Sequence, residues 1–179
     1  MRDRNVTPPG PATPRWTSGL RRRAGIRSPL VALALVAVFA GTALATDASG
    51  FGPAVPISNG TISESVHYNT GAVKFQTKGP VDLKTVSVVI TPGGTSGWHS
   101  HPGVVLVTVK EGAVAFYDKE CTRTVHPVNS SFVEAAGDGP GVARNEGTVN
   151  AMVIVTYIVP GGTTVFRINE SNPGCPGVN

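Results

Sequence analysis

The chain has 179 residues, the size of one domain, with 15 lysines and arginines against 11 aspartates and glutamates. Seven of those basic residues precede residue 46 against a single acid, so the remainder holds 8 basic and 10 acidic side chains and a net charge near −2. The remainder has no basic cluster, which excludes a nucleic-acid-binding surface.

Residues 1–45 read as a signal peptide. Arginines 21–23 and 27 supply a positive region, Leu30 to Ala40 is an unbroken apolar run, and Ala43-Leu44-Ala45 has the small-x-small form of a cleavage site. The apolar run is shorter than the ~20 residues of a membrane-spanning helix, so a cleaved signal is favoured over an N-terminal anchor. Either way the expected location is extracytoplasmic, secreted or held at the cell envelope, with membrane contact only through this segment. The arginine pair leaves twin-arginine and Sec export both open. Residues 46–56, rich in Gly, Ala and Pro, have the composition of a linker.

From Ile57 to residue 170 the chain reads as short strands between turns. "AVKFQT" is followed by "LKTVSVVI", where Val86, Val88 and Ile90 share one face by the period-two rule and "TPGG" is expected to end the strand. "VVLVTV", "AVAFYD", "TRTVHPV" and "SSFVEAA" follow about ten residues apart, then the long β-branched run "VNAMVIVTYIV", and "TVFRI" closes the domain. No segment beyond the leader has a helical period. Many short, evenly spaced strands predict an all-β sandwich or barrel with a single core and a pocket inside it. Residues 171–179 form a C-terminal tail. The two cysteines, Cys121 and Cys175, are expected to pair in an exported protein, with two free thiols as the alternative.

"GWHSHPG", residues 97–103, is where chemistry concentrates: two histidines one residue apart look like half of a metal site. The stretch from Thr91 to Asp118 resembles the first motif of the cupins, jelly-roll barrels of two sheets. Gly93, His99, His101 and Gly112 fall in its register, and the position of its glutamate is Val105. The second cupin motif is weaker. Asn145 takes its asparagine position, but the metal-binding histidine position is Gly141, the proline position is Ala136, and no histidine follows His126. The resemblance spans most of residues 60–170. It is nearest to small secreted cupin-domain proteins that share "GWHSHPG", a mid-chain cysteine and a terminal Pro-Gly-Cys.

The resemblance implies a cupin-type β-barrel whose metal site lacks two ligands. Along a strand, residues 99, 101, 103, 105, 107 and 109 point one way, so the histidines head a row that continues as Val105, Val107 and Val109. Two imidazoles alone hold a divalent metal weakly, and the expectation is therefore no stoichiometric metal. Further donors that the fold could bring in are His67, His126, Glu134 and Asp138. The ligand-contacting set is expected to be His99 and His101 with Arg144 and Asn145, although Asn145 also suits backbone satisfaction at a bend. Trp98 falls on the opposite face, for outer packing, and His126 is an edge residue. The leading expectation is non-catalytic binding of a small molecule or partner. The alternative is a metal-dependent cupin enzyme, a dioxygenase or isomerase, with an unconventional third ligand beside His99 and His101. Association of identical chains is left open.

Overall fold

The computed structural model describes residues 45–134, 137 and 139–179, and all statements below concern these. The signal segment lies outside the described residues except for Ala45, as do Asp138 and Ala136. In chain order the strands are β1 (Ser49–Phe51), β2 (Val55–Ile62), β3 (His67–Asn69), β4 (Lys74–Gln76), β5 (Val81–Thr95), β6 (His99–Ser100), β7 (Val104–Glu111), β8 (Ala113–Tyr117), β9 (Arg123–Pro127), β10 (Ser131–Glu134), β11 (Val142–Arg144), β12 (Ala151–Pro160) and β13 (Ile168–Asn169). No helix occurs among the described residues, as the sequence pattern predicts.

The main sheet is antiparallel and runs β10-β7-β12-β5-β11-β8-β9, with β1 and β2 also paired to β5. Strand β5 is long enough to serve both layers. Val81 to Ile90 pairs with β12, whereas Thr95 at its far end faces Arg144 of β11 and Ser49 of β1. "TPGG" therefore bends this strand instead of ending it, with Gly93 at φ 76° taking the corner. The two open ends approach each other through the turn after β9: the Asn129 N–H donates to the Val109 carbonyl, the Val109 N–H donates to the Ser130 carbonyl, and His126 stacks on Phe132 with ring centres 4.2 Å apart. The result is a nearly closed barrel.

The core follows the predicted alternation. Val105, Val107 and Val109 of β7, Val153 and Val155 of β12, and Val86, Val88 and Ile90 of β5 are buried, while Val104 and Leu106 stay largely outside. Each buried branched side chain contributes on the order of 1.5 kcal/mol or more.

Two expectations need correction. Residues 46–56 are not a free linker, because Phe51 lies opposite Ile90, and Val55 opens a strand paired with β5 from Ser87 back to Val81. Composition pointed elsewhere because Gly and Pro dominate the stretch. Edge strands tolerate both, and Pro56 sits at an irregular register on such an edge. Further back, Thr46 donates its N–H to Glu170 and accepts from the Trp98 N–H at 2.6 Å. Gly97, at φ 66°, lies so close that an added Cβ would stand 2.3 Å from the Thr46 carbonyl. The second correction concerns "TVFRI", of which only Ile168 is in a strand, the two-residue β13 that pairs with β6.

The C-terminal tail packs on the outside of β6. Cys175 is bonded to Cys121, and with Val142 and Val178 it encloses a fully buried Trp98, whose Nε1–H donates to the Val178 carbonyl at 3.0 Å. Closing a loop of 54 residues stabilises the fold by about 4 kcal/mol in the chain-entropy model.

Candidate metal centre and cavity

Strand β6 is short but held on both sides. His99 exchanges two backbone hydrogen bonds with Gly141, and Asn169 of β13 pairs on its other flank. Trp98 and His99 therefore face opposite ways, the indole outward under the tail and the imidazole into the barrel. His101 follows on the inner side, with its ring 4.8 Å from that of His99 and nearly perpendicular to it.

Each imidazole is fixed by a backbone carbonyl. His99 Nδ1 lies 2.8 Å from the Gly97 oxygen and His101 Nδ1 lies 2.6 Å from the Phe166 oxygen. Carbonyl oxygens only accept, so both rings carry a proton on Nδ1 and turn Nε2 inward. This is the orientation that a second layer of hydrogen bonds imposes on metal-binding histidines.

Both Nε2 atoms converge on one carboxylate oxygen. Glu134 Oε2 lies 3.0 Å from His101 Nε2 and 3.6 Å from His99 Nε2, and the Glu134 side chain is only 12% exposed. Glu134 is the cross-strand partner of Val105, the position where the family motif carries its glutamate. The acid thus stands on β10, directly across the strand pair from the motif position on β7. The three donor atoms lie within 4.8 Å of one another. Ligands about 2.1 Å from a shared ion stand ~3.0 Å apart in an octahedral site and ~3.4 Å apart in a tetrahedral one, so the two N···O distances fit a common ion. Of the other donors named from the sequence, His67 sits on the exposed hairpin β3–β4 and His126 is stacked on Phe132; Asp138 lies outside the described residues.

Burial favours a neutral ring at His99. Burial lowers the pKa of His99, against the opposing pull of Glu134 and the Gly97 carbonyl. A neutral Nε2 lone pair facing a carboxylate oxygen is repulsive unless a proton or metal lies between. One proton satisfies only one of the two contacts, and a metal satisfies all three.

Gly141 stands opposite His99, where the family register places the fourth ligand. The expected vacancy there is filled. A Cβ on Gly141 would meet the tip of the Phe116 ring at 2.3 Å, so an aromatic from β8 has replaced a histidine from the loop before β11.

Beside the three donors lies a cavity of about 210 Å³. Its wall is ordered in rows by strand register. Glu134, Val105 and Tyr157 form the row nearest the histidines, Phe132, Val107 and Val155 the next, and Val153 and Val88 the one beyond. Arg167 completes the polar end, with its guanidinium bonded to the Ser96 carbonyl and the Asn169 side chain. Burial raises the pKa of Tyr157, which keeps its hydroxyl protonated.

Sequence reasoning missed Tyr157 and Arg167. A signal existed for the first, since Val153, Val155 and Tyr157 alternate inward and the tyrosine breaks an apolar row. Arg144 and Asn145, expected in the ligand-contacting set, do not line this cavity. Arg144 shares the outward parity of Val142 and donates to the Gly177 carbonyl in the tail. Asn145 is fully buried and satisfies backbone groups, donating to Ile90 and Val149 and accepting from the Gly147 N–H.

The nearly closed antiparallel barrel, with two histidines and an acid at one end of its cavity, agrees with the fold that the cupin resemblance of the sequence implies. Neither a family profile nor a curated protein matches the sequence. Among solved structures, the chain is similar to a conserved protein with a double-stranded β-helix domain from Klebsiella pneumoniae (20% identity, TM-score 0.44, 65% of this chain and 91% of that one). It is also similar to a cupin domain from Bordetella pertussis (16%, 0.40, 60% and 94%) and to the Cupin_2 domain of an XRE family transcriptional regulator from Enterobacter cloacae (20%, 0.37, 44% and 81%). At such identities the likeness concerns the backbone, and no activity passes with it.

Proposed function

We propose that the protein is an exported, metal-dependent cupin enzyme acting on a small molecule, with His99, His101 and Glu134 holding one divalent transition-metal ion. The observation that carries this reading is the convergence of two Nδ1-protonated imidazoles on a single buried carboxylate oxygen. The expectation of a metal-free, non-catalytic binder rested on the missing ligands at positions 105 and 141; Glu134, on the strand next to Val105, supports a carboxylate ligand in place of the first.

Two imidazoles and one carboxylate suit non-haem iron, manganese or zinc, and leave coordination positions open on the cavity side. Such an ion would supply Lewis acidity or redox chemistry to a ligand in the cavity. The chain's own contributions are distinct from this. The Gly97 and Phe166 carbonyls set the tautomers, Glu134 offsets the charge, the valine rows exclude water, and Tyr157 offers a phenolic proton at the cavity wall. The disulfide and the leader together support export.

Metal titration of the protein after chelation tests the reading. One ion per chain is expected, with affinity reduced at least a hundredfold by His101→Ala and by Glu134→Gln. Failure of the wild-type protein to retain zinc, manganese or ferrous iron at millimolar concentration would overturn it.

A further inference from the structure

The cavity has a strongly polarised lining, and this restricts what it can accept. All of its polar groups lie at one end: the two histidines, Glu134, Tyr157, Ser96 and Arg167. The rows beyond are hydrocarbon. Ser96 is already committed, since its hydroxyl donates to the Gly97 carbonyl and accepts the Ala143 N–H.

Arg167 differs from the other members of that end. Its two bonds go to neutral oxygens, on Ser96 and Asn169, and among the described residues no carboxylate lies within ion-pair distance of it. It is half-buried and anchored, with Asp47 and Glu134 acting on it only at longer range, and it stands one residue past the carbonyl that orients His101. A guanidinium held in this way presents its remaining N–H groups to an anionic oxygen.

We infer that the site binds a small monocarboxylate with a hydrocarbon tail, its carboxylate at Arg167 and the metal end and its tail along Val107, Val155 and Val153. Two arguments set the size. A cavity of ~150 Å³ accommodates benzene, so about 210 Å³ accommodates a ring or a short chain with its head group. Successive rows lie ~6.7 Å apart along the strands, so a tail of about five carbons reaches the second row. The charge balance agrees. With a divalent ion on Glu134 and neutral imidazoles, the polar end carries an excess of positive charge beside Arg167.

This inference rests on the metal reading for its full strength, but Arg167 belongs to the chain itself. The test is calorimetric titration of the full chain, after chelation and again with zinc, using hexanoate, acetate, 1-hexanol and hexylamine. Hexanoate is expected to bind at least tenfold more tightly than acetate, since each buried methylene adds about threefold or more. It is also expected to exceed 1-hexanol at least tenfold, with hexylamine weakest. Arg167→Met should bring hexanoate down to the level of 1-hexanol while leaving 1-hexanol unchanged, and Arg167→Lys should recover part of the preference.

Equal binding of hexanoate and 1-hexanol by the wild-type protein would overturn the inference, as would an undiminished carboxylate preference in Arg167→Met. If zinc does not bind but hexanoate still depends on Arg167, the metal reading falls and this one stands. If zinc binds and hexanoate does not outbind 1-hexanol, this one falls alone.

Discussion

Trp98 and His99 are adjacent in sequence and belong to opposite kinds of environment. On the outer side of β6 Trp98 is provided for within the chain: the indole is fully buried, its N–H is bonded, and the disulfide holds the tail that covers it. On the inner side, two nitrogen lone pairs and a carboxylate face one another around an incomplete polyhedron. A region that satisfies itself is structural. A region whose groups are individually oriented toward one common point is arranged for a ligand that all of them can share.

Changing each side in turn sharpens that contrast, and the largest effect belongs to the outer one. Trp98→Ala should destabilise the fold by about 3–5 kcal/mol, because the tail cannot collapse into the space while Cys175 is tethered. Urea denaturation measures the loss, and the variant should still bind one metal per chain under native conditions. A metal-binding defect in a folded Trp98→Ala protein would mean that the two sides are coupled.

Next in size is Gly141→His, which restores the family's fourth ligand. Its Cβ would overlap the Phe116 ring, so a cost of about 1–3 kcal/mol is expected, with no gain in metal affinity. Pairing it with Phe116→Ala should recover part of the stability and only then permit a fourth donor. A stable Gly141→His single variant with tighter metal binding would show that the aromatic yields easily.

A smaller change follows from exchanging two side chains across the strand pair. The double variant Val105→Glu with Glu134→Val returns the carboxylate to β7. It should retain metal affinity within about tenfold of the wild type, or roughly 1.4 kcal/mol, whereas Glu134→Val alone should lose far more. Isothermal titration with zinc distinguishes the cases.

The smallest effect is on pH. Burial lowers the pKa of His99 below the ordinary value near 6.5, so the unfolded chain takes up its proton before the folded one does. As pH falls through that window the metal-free protein loses stability, and above it His99 contributes no pH dependence. The unfolding free energy of His99→Asn, followed from pH 7.5 to 5, should therefore fall less steeply than that of the wild type.

Much of this was legible in the sequence. Alternation alone placed Val86, Val88 and Ile90 on one face and made Val105, Val107 and Val109 the continuation of the histidine row, because a strand's side chains have a period of two whatever the fold around it. Local spacing likewise identified His99 and His101 as a pair and turned Trp98 away from them. The same rule put Phe132 and Glu134 on one face of "SSFVEAA", leaving an acid on an apolar side, and Glu134 was among the donors considered. Which strand lies next to β7, and in what register, is a non-local choice made when the barrel closes. Only that choice sets Glu134 opposite Val105, fills the space at Gly141 with Phe116, folds residues 46–56 onto β5 and returns Arg167 to the cavity. Side-chain direction follows from the chain's own geometry, whereas the identity of the neighbour it meets depends on contacts between segments distant in sequence, 33 residues in the case of His101 and Glu134, and a sequence read along its length does not contain that pairing.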